Sequence, residues 1–379
     1  MWKSSFHVSH SNLGFLYETK GRTCRFVIRN NLSGNRIRIL FANEASKTPV
    51  RIEGAVFEKT DAYGKISECM IPLTFSGSRA VTLKQGDSCY CDEVSVAVSP
   101  GEHLALRIFS PGKCASGNVV GHYARRSVSG DHCTKPVFPE DCSIPFLFKL
   151  AKLSYEAPIP LFKSLEVDTQ EPVCVISAFG DSITAGAAWT EPLAQRLYQQ
   201  FPGQIACGNT GIAGNRLLQD PPKGWDSFGS AGIHRFQKDV LSVAGISHVI
   251  FALGTNDIGY PGNIEKKAPM PTVDDFLQAY STLVQMCKER GIRTIFLPVF
   301  PRADDFQSQA LEALRQELNE CLSKSGLFDY CIDVEDALRD PKGVGCRDEY
   351  VLADKLHLNA AGGEIVAQQI DLLKLLGKE

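Results

Sequence analysis

No apolar run in this chain approaches the ~18 to 20 residues that a membrane-spanning helix needs, so no membrane span is expected. Neither sign of charge dominates. With 40 Lys and Arg against 43 Asp and Glu, the formal net charge is −3. That argues against a general nucleic-acid binder, which would need a basic face. The opening residues, Met1-Trp2-Lys3-Ser4-Ser5, lack the apolar core of a signal peptide. Read from its own first methionine, the chain is expected in the cytoplasm. Paired Cys-x-x-Cys spacing is also missing, although cysteine itself is frequent, at 13 residues. A metal site built from Cys89, Cys91, His132, Cys133 and Cys142 would therefore lack the usual ligand spacing. The cysteines are scattered, and Cys174, Cys207 and Cys331 lie inside apolar runs. Buried free thiols are the simpler expectation. Internal repeats and low-complexity tracts are absent as well.

What is present is a chain of 379 residues, too long for one ordinary core, so two domains are expected. The first, residues 1–165, reads as all-β with a linker. Polar and apolar residues alternate over 24–29 and 36–41, with turn chemistry between them at Asn30-Asn31-Leu32-Ser33-Gly34-Asn35. Further strands are expected over 50–57, 80–83, 93–98 and 103–109. Short strands at this spacing suggest a β-sandwich. Residues 111–170 are rich in Gly, Pro, Ser and Cys, and read as the last sandwich strands plus a linker holding Pro158 and Pro160. The second domain, residues 166–379, alternates strands and helices. Apolar strands are expected at 173–178, 204–207, 248–253, 294–299 and 330–334. Amphipathic faces between them, such as Leu193, Leu197 and Phe201 or Phe276, Tyr280, Leu283 and Cys287, are stopped by Gly203, Gly245, Gly291 and Gly326. This pattern implies a parallel sheet covered on both faces.

Four short blocks fall at the expected strand ends or beside the last helix: Gly180-Asp181-Ser182, Asn209-Thr210-Gly211-Ile212-Ala213-Gly214-Asn215-Arg216, Gly254-Thr255-Asn256-Asp257 and Asp354-Lys355-Leu356-His357. Ligands collect at the carboxyl edge of such sheets. Together the blocks hold what acyl transfer requires. Ser182 at a strand-to-helix turn is the candidate nucleophile, His357 its base, and Asp354 the group that fixes the imidazole. A tetrahedral oxyanion needs preorganised donors, which Gly214 and Ser182 would supply from the backbone and Asn256 from its side-chain amide.

These residues resemble the SGNH hydrolases, or GDSL esterases and lipases, whose four blocks contribute Ser, Gly, Asn and His. Here those positions fall on Ser182, Gly214, Asn256 and His357, and the family's Asp-x-x-His pair on Asp354 and His357. The resemblance spans roughly residues 173–374. It implies a flavodoxin-like three-layer α/β/α fold and ester hydrolysis without a metal or organic cofactor. The whole chain also resembles a two-domain subgroup with an N-terminal, jelly-roll-like β-sandwich, whose members are often linked to acetylated polysaccharides such as xylan. Thr184 stands where the Gly-x-Ser-x-Gly elbow of α/β-hydrolases has its second glycine, so that fold does not fit. Asp354 sets the chain apart from relatives that work with a Ser-His dyad.

The substrate expected on this reading is a short acyl ester, above all acetyl on a plant cell-wall oligosaccharide. The rival readings are a lipase, lysophospholipase or thioesterase on small esters, and a carbohydrate-binding protein whose hydrolase half is vestigial. Each residue also has a plainer role. Ser182 can cap a helix, Gly214 or Gly211 can serve a turn, Asn256 can cap, and Asp354 can hold a turn. Asp181 and Asp257 are expected to support the site by hydrogen bonds; the alternative is a two-carboxylate glycosidase. Trp189, Trp225 and Tyr260 follow the first three blocks, and either stack on sugar rings or pack internally. Arg216 either holds an anion or pairs with Asp220, while His234 and His248 read as structural.

Overall fold

In the computed structural model, which describes residues 1–14, 19–62, 69–119, 125–139, 158–343 and 345–378, the chain forms two compact units. One is residues 1–173 with 201–206, the other 174–200 with 207–379. The division thus follows Val173, not residue 165, and the reason is a strand. Phe162–Asp168 pairs antiparallel with both Trp2–His7 and Gly34–Ala42. Ile159–Pro160 is itself paired with Ser116–Asn118. Residues 159–168 are therefore sheet and not linker.

The first unit is a β-sandwich. One five-stranded sheet runs Trp2–His7, Phe162–Asp168, Gly34–Ala42, Val94–Val98, with Ser88–Tyr90 also on Gly34–Ala42. The other runs Arg125–Ser129, Arg22–Arg29, His103–Ser110, Gly54–Thr60, Cys69–Pro72. Every pairing is antiparallel. Phe26 of the second sheet meets Phe162 of the first edge-on, 4.8 Å between ring centroids, so apolar residues on alternate positions fill the space between them. The interior also holds charge. Glu58 accepts from Arg25 at 2.8 Å and from Arg107, and Arg107 donates onward to the carbonyls of His132 and Lys135 at 2.7 and 2.6 Å. The twelve described cysteines are all free thiols. Cys142 lies outside the described residues. Among those described, no three His, Cys, Asp or Glu side chains stand together as metal ligands would.

The remaining five-stranded sheet is parallel, with strands Cys174–Gly180, Ile205–Asn209, Ile246–Ala252, Arg293–Phe296 and Tyr330–Cys331. Across the sheet they lie in the order second, first, third, fourth, fifth, the flavodoxin-like arrangement. Register places Phe179 beside Phe251 and Phe251 beside Phe296. This row faces one core, shared with Phe236, Val240, Phe276, Tyr280, Leu283, Leu318 and Leu322 from the helical segments on that side. The neighbouring residues Ala178, Ile250 and Ile295 point to the opposite face, as strand geometry requires. Thr190–Gln200 and Ala360–Gln369 pack on one another. The helices Val273–Lys288 and Gln309–Lys324 form where the apolar spacing places them, each started by a side-chain cap, Thr272 and Ser308. The carboxyl ends of the first three strands therefore lie side by side, and the loops leaving them share one edge.

Candidate active site

Ser182 heads the short helix Ser182–Ala185, directly after the strand Cys174–Gly180. Asp181 is the cap: its carboxylate accepts the Ile183 amide at 2.9 Å. On the far side of the chain order, Ser182 Oγ stands 2.8 Å from His357 Nε2, and His357 Nδ1 stands 2.7 Å from Asp354 Oδ2. The other oxygen of Asp354 accepts the amides of Leu356 and His357, both at 3.0 Å. Burial alone would raise the Asp354 carboxyl. The two amides and the His357 ring outweigh it and hold the group below the usual carboxylate range. A charged Asp354 can only accept, so the imidazole proton sits on Nδ1, and Nε2 presents its lone pair to the serine hydroxyl. The turn that makes this possible carries Lys355 at φ 56°, a left-handed conformation unfavourable for a lysine.

The two other blocks are fixed by their neighbours. Gly214 has φ 76°, and a Cβ there would lie 2.3 Å from the Phe228 ring, so no larger residue fits. Its carbonyl accepts the Tyr260 hydroxyl at 3.0 Å. Asn256, buried in the first turn of Thr255–Gly259, donates one Nδ2 hydrogen to the Asn215 carbonyl at 2.9 Å. A primary amide carries a second hydrogen as well. Asp257 accepts the amides of Leu217 and Leu218, both at 2.8 Å, and so ties the Gly214 loop to the Asn256 helix. Burial pushes both Asp181 and Asp257 up to about 6. Both are buried, with backbone amides on their carboxylates. A glycosidase pair would instead have to face the substrate.

The aromatic residues divide. Trp189 is fully buried and Tyr260 nearly so, so neither offers a face to a sugar; each packs internally. Trp189 and Asp181 line one small cavity together with Thr184 and Thr255. Trp225 alone is open, 46% exposed, with its ring 4.9 Å from Phe228, the residue that covers Gly214. Arg216 takes Glu265 as its ion partner and bonds the carbonyl of Asp220, not its carboxylate. That carboxylate holds the Ala231 amide at 2.8 Å and His234 at 3.0 Å. His248 is buried beside Ser247, and burial pushes it down to about 4; it is structural.

Sequence reasoning passed over Asn215, Phe228 and Arg235. Asn215 was visible only as one letter of its block, yet its side chain donates to the carbonyls of Phe228 and Ser230 at 2.7 and 2.8 Å. Arg235 stands between the apolar residues Ile233 and Phe236, where a charged residue normally reads as solvated.

The model of the GDSL-like lipase/acylhydrolase family matches residues 178–365, a span that contains all five residues of the constellation. No curated protein matches the chain significantly. Similar solved structures include a putative acylhydrolase from Bacteroides fragilis, 19% identical, covering 56% of this chain and 90% of its own, with a TM-score of 0.41. A catalytic mutant of an acetylxylan esterase from Geobacillus stearothermophilus is 16% identical, covering 56% of this chain and 98% of its own, with a TM-score of 0.41. An α/β hydrolase from the metagenome of Lake Arreo is 18% identical, covering 54% and 95%, with a TM-score of 0.41.

Proposed function

Because the chain is a member of the SGNH hydrolase superfamily, through its GDSL-like lipase/acylhydrolase domain at residues 178–365, we propose that its hydrolysis of esters is carried by Ser182, His357 and Asp354 and directed at short acyl groups, above all acetyl on plant cell-wall oligosaccharides. The observation that carries the catalytic assignment is the relay itself: Ser182 Oγ to His357 Nε2 at 2.8 Å and Nδ1 to Asp354 at 2.7 Å.

The steps follow from those contacts. As Ser182 Oγ attacks the acyl carbonyl carbon, its proton passes to His357 Nε2, and Asp354 stabilises the imidazolium. The carbonyl oxygen becomes an oxyanion, received by the backbone N–H of Ser182 and Gly214 and the second Nδ2 hydrogen of Asn256. Collapse breaks the bond to the alcohol oxygen, which leaves with the proton from His357. Water then attacks the acyl-serine, giving its proton to the same nitrogen, and the acid departs as Ser182 recovers its hydrogen.

The sugar preference rests on Trp225, an exposed aromatic face beside the Gly214 loop; such faces suit the apolar side of a sugar ring. The test is a panel of p-nitrophenyl esters from acetate to decanoate beside acetylated xylan and glucomannan oligosaccharides. Hydrolysis is expected to be fastest at acetate. Trp225→Ala is expected to raise KM for the oligosaccharides and leave that for p-nitrophenyl acetate unchanged. A maximum at decanoate would place the protein with lipases instead, and silence on every ester would leave a binding protein.

A further inference from the structure

We propose that Arg235 is a positioning residue that holds the nucleophile strand and the oxyanion loop in register, an inference that rests on the esterase reading above. Its guanidinium is buried and reaches three separate places. Nη2 donates to the carbonyl of Gly180, two residues before Ser182, at 2.9 Å. Nη1 donates to the carbonyl of Thr210, which begins the loop leading to Gly214, also at 2.9 Å. Nε donates to the side-chain oxygen of Asn215, next to Gly214, again at 2.9 Å. The carbonyl of that same Asn215 receives the Asn256 amide. One side chain thus touches the supports of all three oxyanion donors.

The chemistry explains why the residue is arginine. Only a planar fork with five N–H donors satisfies acceptors this far apart at once; a lysine offers one point charge. The plane is fixed by Phe179, whose ring centroid lies 4.1 Å from Cζ. The counter-charge is Asp239 at 3.1 Å, four residues on in the helical chain, within the π-helical turn Gln237–Leu241 that follows Gly232–Phe236. Such turns recur at functional sites. Burying an ion pair gains little net stability, so stability alone gives no reason for a charge in this core. Geometry does: the Gly180 carbonyl also receives the Ile212 amide at 3.1 Å, so strand and loop are joined at one atom that the guanidinium holds.

The test uses the full chain, with Arg235→Lys and, as a milder change, Asp239→Asn. Three quantities are read: kcat and KM on p-nitrophenyl acetate, the fraction of molecules labelled by a fluorophosphonate, and amide exchange of peptides covering 180–186 and 210–216. Displacement of reacting groups by about 1 Å costs on the order of 10²-fold in rate. The expected result for Arg235→Lys is therefore a fall of that size in kcat per labelled site with KM little changed. Exchange should quicken in those two peptides while that of the strand Ile246–Ala252 stays as it was. Asp239→Asn should move the same readouts in the same direction by less, and decides the matter if Arg235→Lys does not fold. Wild-type kcat per labelled site, with the loss confined to the labelled fraction, would make Arg235 merely structural and overturn the inference. If the wild type hydrolyses no ester and takes no label, the esterase reading fails by itself. Exchange then still decides Arg235: quickening confined to the two loops supports the positioning role, and uniform or unchanged exchange overturns it.

Discussion

At the scale of single residues, the proposed chemistry separates groups that would react from groups that hold. Asn256 has one amide hydrogen committed to Asn215, and the role proposed for the other is to meet charge that develops only near the transition state. Asn256→Ala should lower kcat about 10²- to 10³-fold with a smaller change in KM; a rise in KM alone would make it a ground-state binding residue. Lys355 presents a different test. Its φ of 56° is what lets Asp354 turn back onto the amides of Leu356 and His357. A β-branched residue resists that conformation more than lysine does, and glycine not at all. Lys355→Val should lower stability by roughly 1–2 kcal/mol, and Lys355→Gly should not. Equal melting temperatures for the two variants would remove the strain from the account. The residues proposed to react stand out in the sequence because four blocks in order carry them. Their supports were not, because a hydrogen bond to a carbonyl, such as that of Arg235 to Gly180, leaves no signature in spacing.

At the scale of elements, the first three parallel strands deliver the site, and two packing contacts keep their loops in place. Gly214 and Phe228 form one. A Cβ at 214 would strike the ring at 2.3 Å and would occupy a positive φ besides. Gly214→Ala should lower kcat, and Phe228→Ala placed on top should recover only part of the loss, since it removes the clash but not the backbone strain. Full recovery would mean that φ is immaterial here, and no recovery that Phe228 is. The buried carboxylates of Asp181 and Asp257 supply the other contact and a pH signature. Asp181 and Asp257 are pushed to about 6 by burial, against 3.8 for an exposed aspartate. Between those values the folded chain holds protons that the unfolded chain has released. Each group therefore lowers stability as pH rises from about 4 to 6, by up to ~3 kcal/mol. Asparagine caps as well as aspartate but cannot ionise. Asp181→Asn should gain stability relative to wild type between pH 4 and pH 7 in urea titrations, and parallel curves would contradict the assignment. The parallel strands and the long helices were readable from apolar periodicity. Trp2–His7 was not, because its buried positions include Ser4 and Ser5. Their hydroxyls find His7 and Asn30, and no alternation of polarity survives.

For the whole molecule, the change from β-rich to alternating sequence showed that there are two units, but not where the first one closes. Its final strand, Phe162–Asp168, pairs with the first, Trp2–His7, across the full length of the unit. Only long-range pairing shows that these residues are sheet, since Pro158 and Pro160 locally argue for a linker. The second unit bears every residue of the proposed chemistry, and the central claim is that one serine of this chain is a nucleophile activated by one histidine. The most direct measurement is fluorophosphonate labelling of the full chain, with intact mass and peptide mapping, on wild type and on His357→Ala. A single adduct on Ser182 is expected in the wild type, with labelling slowed by ~10³-fold or more in the variant. An adduct on any other serine, or undiminished labelling without His357, would contradict it.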